Sequence, residues 1–484
     1  MSDIVYENNL IFFAASEAVN RLGFGRCVIY TEETRIDASN VVQELNKALA
    51  YHNINVDAIN YLDRYYRGDQ PILYREKKVR PEINNKVVEN HALEIVDSKV
   101  ADLFGEPIQY VLSDNEDEVK ANAIETLNKY MKSEDKAALD IERARWASIA
   151  GTSYYYVGNT NRMPKLFDEA PYYITCENPT KTFVVYYADD KTPAFSVQIR
   201  RNQNGVLYNV YTSQYFFLIQ NGEIIASEEN GDDMIPVIEY PNNERRLSDI
   251  EITIGITDAI NVMQSDRLNA IAQFVQAFIL FKNCKIDKET FEELAFAGAL
   301  SIKDTADGKV ADAKLMTSEL SQDGSQISKD DLYNSLLVIQ GMPSRNEASG
   351  STTGQAEALR NGYYAEEKRA ELRIPQFQKS ERMMLRVVLN KLRIVKAGFS
   401  LSISDIDIRP NRSKLENMLV KAEVLQILHT IGVDDAIALK TVNLFSDVQD
   451  VISKSSARMN EQFESSINKT EDIEDGNTEL RPTE

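Results

Sequence analysis

The chain has 484 residues and a formal net charge of −21 at pH 7. Its length is typical of roughly two to four structural units. The acidic balance argues against a freely diffusing nucleic-acid-binding protein, because neutralisation of phosphates supplies most non-specific affinity; it does not exclude a protein that encloses DNA without gripping it. Three cysteines, Cys27, Cys176 and Cys284, lie far apart. The cysteines lack metal-ligand spacing, and their small, odd number favours unpaired thiols in a reducing compartment.

The start of the sequence and its hydropathy predict a soluble protein. The chain begins Met1-Ser-Asp-Ile, which is acidic and unlike the basic start of a signal peptide. Its longest apolar run, residues 274–281, is interrupted by Gln276. That run is far shorter than the roughly 20 residues of a membrane span. We therefore expect a soluble, cytoplasmic protein without a membrane partner.

The first 150 residues predict a strand followed by helices. Residues 27–30 form a short β-like run, and residues 40–62 carry apolar side chains at helical spacing. An aromatic pair and a glycine, in Tyr65-Tyr66-Arg67-Gly68, end that helix. A second helix is predicted over residues 84–100, and residues 120–150 predict two more.

Residues 151–240 predict an antiparallel β unit. Short runs rich in tyrosine, phenylalanine, valine and isoleucine follow one another, and Asn204-Gly205 and Asn221-Gly222 lie between such runs as hairpin turns. The runs are 154–157, 172–174, 183–187, 195–199, 206–211, 215–219 and 235–240.

Residues 248–340 predict a long helix, a small insert and a return helix. Ser248-Asp-Ile-Glu251 matches a capping box. Residues 249–282 contain no proline and only Gly255, so they could form one helix of about 50 Å at ~1.5 Å per residue. Residues 284–327 predict a mixed insert, and residues 329–340 a short helix that returns from it.

The most informative stretch, residues 341–398, is a loop that opens into a net-basic helix. The loop, residues 341–355, is rich in glycine, serine and threonine, so it belongs on a surface or projects into a space. Pro375 in the helix predicts a kink. The cations either solvate a long helix or line a space that holds DNA, and the sequence leaves both open. They are Arg360, Lys368, Arg369, Arg373, Lys379, Arg382, Arg386, Lys391, Arg393 and Lys396.

The last part of the chain predicts further helices over residues 412–458. The final two dozen residues are acidic, polar and nearly free of large apolar side chains, so we expect them to be disordered.

Motifs for nucleotides, metals and catalysis are weak. Gly350-Ser-Thr-Thr-Gly354-Gln355 has three residues between its glycines and no following Lys-Ser/Thr, so it fails as a phosphate-binding loop. Asp304-Thr-Ala-Asp307-Gly308 lacks the alternating acids of a calcium loop and is better explained as a turn. Asp405-Ile-Asp407 could be an acid pair, but its alternation with isoleucines favours an exposed strand face. We therefore predict no cofactor, no metal site and no catalytic residue.

The histidines are isolated from one another and from the cysteines. We expect each of His52, His91 and His429 to be a surface residue or a satisfied core residue rather than a ligand.

Several sequence blocks occur in a fixed order that is more specific than any one of them. They are Tyr65-Tyr66-Arg-Gly68, Asn84-Asn-Lys86 with Asn90, Val96-Asp97, Phe104-Gly105-Glu-Pro107-Ile108, Pro236-Val-Ile-Glu-Tyr-Pro-Asn242-Asn243-Glu244, Ser248-Asp-Ile-Glu251 and Thr353-Gly354-Gln-Ala356-Glu-Ala358-Leu359. In this order the chain resembles the portal (head-to-tail connector) proteins of tailed bacteriophages, of the type found in siphophages of Gram-positive hosts. The resemblance covers roughly residues 50–400. The chain departs from it in Thr353, where the family usually has serine, and after Gly398, where it matches only in being helical.

The resemblance implies an α+β fold of several parts. These are a mixed α/β wing of residues 1–249 and 356–398, stem helices over 250–283 (descending) and 328–340 (ascending), a clip of 284–327, a tunnel loop of 341–355, a helical crown of 399–460 and a disordered acidic tail of 461–484.

The resemblance also implies a non-enzymatic ring of twelve subunits at one capsid vertex. Double-stranded DNA would pass through its channel, without sequence specificity, during packaging and ejection. The implied partners are the terminase large subunit, a head-completion adaptor, the scaffold and the major capsid protein. The implied location is the virion, with assembly in the host cytoplasm.

Two segments would carry the functional residues that the resemblance implies. The tunnel loop would present a polar set with one cation to DNA: Ser344, Arg345, Asn346, Ser349, Ser351, Thr352 and Thr353. The clip would dock the motor and later the adaptor: Lys285, Lys288, Lys303, Asp307 and Lys309. A neutral loop between acidic walls would give little friction, and sparse cations repeated around a ring could still follow phosphates.

Two other interpretations stay open at this point. One is another ring-forming virion protein, such as an adaptor. The other is a cytoplasmic nucleic-acid-processing enzyme with a cryptic acidic site.

Overall fold

The computed structural model describes residues 6–7, 10–11, 24–78, 81–113, 118–159, 169–203, 205–275, 278–282, 312–316, 322–343, 363–396, 398–410, 418–442, 451 and 455. It divides into two compact units. The first unit comprises residues 1–26, 54–96 and 247–369, and the second comprises residues 27–53, 97–246 and 370–484.

The described chain alternates between helical and β segments, which confirms the α+β class. The helices are α1 (Val41–Tyr66), α2 (His91–Phe104), α3 (Glu118–Ser133), α4 (Lys136–Ala150), α5 (Ile254–Val275), α6 (Gln322–Gln340), α7 (Tyr363–Val395), α8 (Met418–Thr430) and α9 (Asp435–Val442). The strands are β1 (Tyr6–Glu7), β2 (Leu10–Ile11), β3 (Ile29–Thr31), β4 (Gln109–Leu112), β5 (Thr152–Asn159), β6 (Tyr172–Glu177), β7 (Thr182–Tyr187), β8 (Pro193–Asn202), β9 (Gly205–Tyr211), β10 (Tyr215–Gln220), β11 (Glu223–Glu229), β12 (Val237–Pro241), β13 (Phe278–Lys282), β14 (Asp312–Met316) and β15 (Ile406–Arg409). Short 3₁₀ turns occupy Pro71–Tyr74, Glu251–Thr253 and Ile403–Asp405.

The predicted β unit is the centre of the second unit. Its larger sheet has the order β11-β10-β9-β8-β7-β3, antiparallel except for the parallel β3–β7 pair. The turn between β10 and β11 is the predicted one: Asn221 and Gly222 have φ of 52° and 82°, the left-handed pair that a tight hairpin needs. Phe195, Val197 and Phe217 of this sheet pack with α1 side chains in one core.

A second core of this unit lies under a smaller sheet of order β12-β5-β6. Tyr155 and Tyr240 of the sheet pack with Leu127 of α3 and with Met384 and Val388 of α7. The predicted helical crown differs at its start. Residues after Gly398 form a 3₁₀ turn and then β15, which pairs antiparallel with β4. The cause is the alternation that places Ile406 and Ile408 on the buried face, as the strand interpretation of Asp405-Ile-Asp407 expected.

The first unit contains α5 and α6, and here the sequence prediction was wrong in its boundaries. The predicted helix over 249–282 ends at Val275, and Phe278–Lys282 is a strand paired with β14. Phe278-Ile-Leu-Phe is an aromatic and β-branched run, a composition that favours strands. Helix α6 begins at Gln322, inside the predicted clip, so the stem helix predicted from 328 is longer.

The predicted helix over 84–100 begins only at His91, and the residues before it are not helical. Pro375 lies within α7, as predicted; the kink stays a prediction. The acidic tail of 461–484 lies outside the described residues. In the described part of the chain, no helix is both long and apolar enough to cross a bilayer.

Candidate functional surfaces

Helices α5 and α6 pack against each other in the first unit. Leu336, Leu337 and Met342 at the end of α6 are buried with Ile95 of α2, and Tyr333 packs against this cluster. The two predicted stem helices are therefore joined by an apolar cluster to the region where α2 begins.

The segment of residues 83–90, named the strap here, lies along α5. Alternate backbone N–H groups of the strap donate to side-chain oxygens four residues apart on the helix: Asn85 to Asn269 Oδ1 at 2.6 Å, Val87 to Ser265 Oγ at 2.9 Å and Glu89 to Asn261 Oδ1 at 2.7 Å. The spacing matches because two extended residues advance about 6.6 Å and one four-residue helical step about 6 Å. The acceptors are buried, so α5 directs a polar stripe into the protein.

A buried amide network ties the strap to the end of α1. Asn261 Nδ2 donates to Gln70 Oε1 at 2.6 Å, Gln70 Nε2 donates to Asn90 Oδ1 at 3.0 Å, and Asn90 Nδ2 donates to the Tyr66 carbonyl at 2.9 Å. Gly68, with φ of 89°, provides the left-handed turn that ends α1. Two of the sequence blocks, Tyr65 to Gly68 and Asn84 to Asn90, therefore meet at α5, which no spacing along the chain reveals.

Charged groups join the start of α2 to α6. His91 lies between two carboxylates, with Nδ1 2.9 Å from Glu94 Oε2 and Nε2 3.1 Å from Glu89 Oε2. From α6, Lys329 Nζ lies 2.8 Å from Glu89 Oε1 and the Tyr333 hydroxyl donates to Glu94 at 2.8 Å. Burial acts to raise the pKa of Glu89, but the contacts with Lys329 and Gln264 outweigh it and the pKa is lowered. Glu89 is thus held ionised between its partners.

Among the described acids of this unit, Asp258 of α5 has a strongly raised pKa. Burial raises the pKa of Asp258 to about 6, although the Tyr65 hydroxyl donates to its Oδ1 at 2.8 Å and opposes the shift. Burial, followed by the charge of Asp258, raises the pKa of the Tyr65 hydroxyl well above its usual range. The pair links α1 to α5 through one hydrogen bond in a site that resists ionisation.

The C-terminal end of α6 is capped by Arg369 of α7. Arg369 Nη1 donates to the carbonyls of Val338 at 3.1 Å and Ile339 at 2.9 Å, in the last turn, where carbonyls lose their intrahelical partners. The Val338 carbonyl also accepts from the Gly341 amide at 3.1 Å. Gly341 follows with φ of 66°, and a Cβ at this position would lie 2.4 Å from Arg369 Nη1. The described residues on both sides of the predicted tunnel loop are therefore held together at α6.

Apolar side chains remain exposed on both helices of this pair. Val262, Leu268 and Ile271 are exposed on α5, and Ile327, Val338 and Ile339 on α6. Val338 is the most exposed of them, at 70%. Several large apolar groups on two adjacent helices are unusual on a surface that faces only water.

Helix α7 supplies a buried charge to the second unit. Glu381 is fully buried and accepts hydrogen bonds from the hydroxyls of Tyr110 and Tyr240, the latter at 2.7 Å. Lys136 Nζ lies 3.0 Å from the Glu381 carboxylate and 2.6 Å from that of Asp140. Burial acts to raise the pKa of Glu381, but Lys136 and the two hydroxyls outweigh it and the pKa is lowered.

Arg143 completes this centre by packing on aromatic faces. Its guanidinium lies 4.6 Å from the ring centre of Phe104, 4.7 Å from that of Tyr240 and 5.0 Å from that of Phe377. Such stacking stabilises a buried cation. The centre carries Lys136 and Arg143 against Asp140 and Glu381, so its charges balance and it has the character of a structural core rather than of an acid–base site.

All the site residues predicted for the tunnel loop and the clip lie outside the described residues. These are Ser344, Arg345, Asn346, Ser349, Ser351, Thr352 and Thr353 in the loop, and Lys285, Lys288, Lys303, Asp307 and Lys309 in the clip. The sequence interpretation missed the buried stripe of α5, although Asn261, Ser265 and Asn269 recur at four-residue spacing on one helix face.

The three histidines occupy different environments. His52 is a satisfied core residue, stacked on Phe183 at 4.2 Å with Nε2 3.1 Å from the Thr180 carbonyl, and burial lowers its pKa to about 4. His91 is paired as described above, and His429 is exposed. Among the residues that the structure describes, no group of three or more His, Cys, Asp or Glu side chains is arranged to hold a metal ion.

Within the described part of the chain, Cys27 and Cys176 form no disulfide. Burial raises the pKa of the Cys176 thiol to about 12, which makes it a poor nucleophile.

Comparisons with known proteins give one family and several structures. The family model described as phage portal protein, SPP1 Gp6-like, matches residues 45–469. The chain matches no curated protein.

Three solved structures that are similar to this chain come from gene transfer agent (GTA) particles. A chain of the virion of the native particle is 12% identical, with 80% of this chain and 93% of that chain covered and a TM-score of 0.44. A chain from the neck of the native particle, computed with C12 symmetry, is 12% identical over 73% of this chain and 89% of that one, with a TM-score of 0.40. One from the neck of the empty particle, computed with C6 symmetry, is 12% identical over 73% and 90%, with a TM-score of 0.42.

Proposed function

This chain belongs to the SPP1 Gp6-like family of phage portal proteins, and on that premise we propose how its surfaces serve a portal. Portal proteins are structural, non-enzymatic components of the virion that form a ring. The single observation that carries the function is the family match over residues 45–469, which includes both described units almost entirely.

The proposed ring has twelve subunits and stands at one capsid vertex. Double-stranded DNA passes through its channel during packaging and ejection, in contact with the tunnel loop of residues 341–355. The clip of residues 284–327 docks the terminase large subunit and later a head-completion adaptor. Scaffold and major capsid protein contact the ring during assembly in the host cytoplasm. The absence of a recognisable nucleotide-binding motif supports a motor ATPase on a separate chain.

The α5–α6 pair supplies part of the surface between neighbouring copies. Val262, Leu268 and Ile271 of α5 and Ile327 and Val338 of α6 are exposed in the single chain. In a ring, each subunit contacts the copy before it with one surface and the copy after it with another. The same two surfaces are therefore buried on every subunit. Burial of these side chains in the ring explains why the chain keeps apolar groups on helices that would otherwise face water.

The ring is tested by native mass spectrometry with negative-stain electron microscopy of the purified chain. We expect wild type to form a ring with a central hole, and Val338→Asp and Ile271→Asp to give smaller species, since a charge placed in an apolar interface is costly. Ile225→Asp is the matched control, because Ile225 is also exposed but lies on β11 in the other unit. Rings from both α5–α6 variants would refute the interface, and a monomeric wild type would contradict the proposed ring itself.

A further inference from the structure

The charged residues of α7 divide between its two faces. From Lys379 to Arg393 the sequence holds one acid, Glu381, which is fully buried among Lys136 and two tyrosines. Lys391 is buried as well, with Nζ 2.8 Å from Asn159 Oδ1 and in contact with Asp232. Since the acid is used inside the core, it cannot neutralise the outer side of the helix, whose charges are all positive over this length.

Three of these outer cations form what we name the cationic stripe: Lys379, Arg382 and Arg386. Their spacing of three and then four residues places them on one helix face. All three are exposed, and none makes a hydrogen bond or ion pair with a residue in the described part of the chain. A helix face that is merely solvated usually mixes both signs of charge, and this chain has 75 acids against 54 lysines and arginines. An acid-free face in such a chain therefore points to an anionic partner.

The stripe is held on a fixed support. The opposite face of α7 places Met384, Leu385 and Val388 in the core of the second unit, each fully buried. The three cations therefore do not depend on a loop for their relative positions. Along the helix axis they extend over about 10 Å, at ~1.5 Å per residue. Each strand of a duplex carries one phosphate about every 3.4 Å of the duplex axis, so ~four consecutive phosphates of one strand extend over a similar length.

We propose that the cationic stripe binds the phosphate backbone of duplex DNA without recognising its sequence, as a contact separate from the tunnel loop. The proposal rests on the proposed portal function, which brings DNA to this protein. It adds Lys379, Arg382 and Arg386 as the residues of the contact. Arginine suits it because its planar guanidinium can donate two parallel hydrogen bonds to a phosphate. The stripe contains no Asn, Gln or Glu, the side chains that recognise adenine or cytosine edges.

The test measures binding of a fluorescently labelled duplex of mixed sequence by anisotropy, across a salt series, to the full chain. The variant K379Q/R382Q/R386Q is compared with K129Q/K132Q/K181Q, which removes three exposed lysines elsewhere in the same unit and changes the net charge equally. We expect the stripe variant to lose about tenfold or more in affinity near 0.1 M salt, and its slope of log affinity against log salt to become shallower by about 2–3, at ~0.9 per phosphate contact. The control should stay near wild type, and R382K/R386K should keep the steep slope because it keeps the charges.

Three outcomes would overturn the proposal. Equal losses in the stripe variant and the control would assign the effect to net charge. Unchanged binding by the stripe variant would show that DNA does not contact it. Loss of the ring in the stripe variant alone, by native mass spectrometry, would assign the stripe to the acidic surface of a second copy. If wild type forms a ring and the stripe variant binds DNA unchanged, only the stripe proposal fails and the portal function stands. If wild type forms no ring, the portal function itself is contradicted.

Discussion

Lys136 Nζ lies 3.0 Å from Glu381 Oε1, and the two side chains are only 5% and 0% exposed. Removing one member of a buried pair leaves an uncompensated charge and costs about 3–5 kcal/mol. We expect Lys136→Met to lower the free energy of unfolding by about that amount, measured from urea transitions. The double variant Lys136→Met/Glu381→Gln should recover part of the loss, and a single variant as stable as wild type would contradict the pairing. Lys129→Met, at an exposed position of α3, is the control.

The raised pKa of Asp258 predicts a pH-dependent stability. Its folded pKa of about 6 lies above the ordinary value of 3.8, so the folded state holds the proton more tightly. This contribution is complete below pH ~4, is lost as pH rises to ~6 and is absent above, for a total of about 3 kcal/mol at ~1.36 kcal/mol per pH unit. Asp258→Asn cannot ionise. The unfolding free energy of wild type minus that of the variant should therefore decrease between pH 4 and 6.

For Asp258 the control is Asp57→Asn, which removes an exposed carboxylate from α1. A difference between wild type and Asp258→Asn that does not change with pH would refute the buried, proton-binding site.

The strap depends on the side chains that accept its N–H groups. Asn261→Ala leaves the Glu89 amide and the Gln70 side chain without that partner, and a buried unsatisfied group costs about 1–3 kcal/mol. Hydrogen exchange should accelerate at the amide of Glu89, with smaller changes farther along at Val87 and Asn85. The control Asn122→Ala removes an exposed asparagine from α3. Unchanged exchange at Glu89 in Asn261→Ala would contradict the hydrogen bond.

The cap on α6 can be tested by comparing alanine variants of Gly341 and Gly398. Both have positive φ, 66° and 96°, but an added Cβ meets the Arg369 side chain at Gly341 and nothing within 4 Å at Gly398. Both alanine variants should lose about 1 kcal/mol to backbone strain. Gly341→Ala should lose a further ~1 kcal/mol, because displacing Arg369 removes one hydrogen bond from each of the carbonyls of Val338 and Ile339. Equal melting temperatures for the two variants would argue against the cap.

The tunnel loop should be dispensable for assembly but needed for DNA transport. Deletion of residues 345–352 removes a mostly polar stretch without a large apolar side chain, which cannot contribute to a core. We therefore expect rings like those of wild type by electron microscopy. DNA packaging, measured as nuclease-protected DNA in assembled particles, should fall strongly. Packaging at the wild-type level would defeat the assignment of this loop to the channel.

Local sequence signals predicted much of the fold. The β unit was predicted because its strands are short, aromatic and separated by turns such as Asn221-Gly222, all of which act within a few residues. Helix α7 was predicted as a long, net-basic helical run, but the burial of Glu381 was not predicted, because its partner Lys136 is far away in the sequence. The sequence alone does not indicate whether an acid among cations lies on the buried or on the exposed face of a helix.

The strap was mistaken for the start of a helix for a related reason. Asn84 and Asn85 are ordinary residues at the beginning of a helix. The backbone N–H groups of Asn85 and Val87 instead donate to Asn269 Oδ1 and Ser265 Oγ on a distant helix. Phe278–Lys282 was mistaken for part of a helix, although it is a strand. The absence of proline permits a helix but does not require one, and the composition of this segment favours a strand. The candidate contacts on α5 could therefore be described only when the segments that meet there were seen together.

The pairing of the strap with α5 also restricts how these two segments can slide. Amides two residues apart on the strap meet oxygens four residues apart on the helix, at Asn261, Ser265 and Asn269. A shift of the strap by one residue would turn its donors away from the helix, because successive residues of an extended chain point to opposite sides. Only a shift of two residues against one four-residue step of α5, about 6 Å, would bring donors and acceptors together again. We therefore expect these two segments to re-form their hydrogen bonds only at discrete positions along the helix axis.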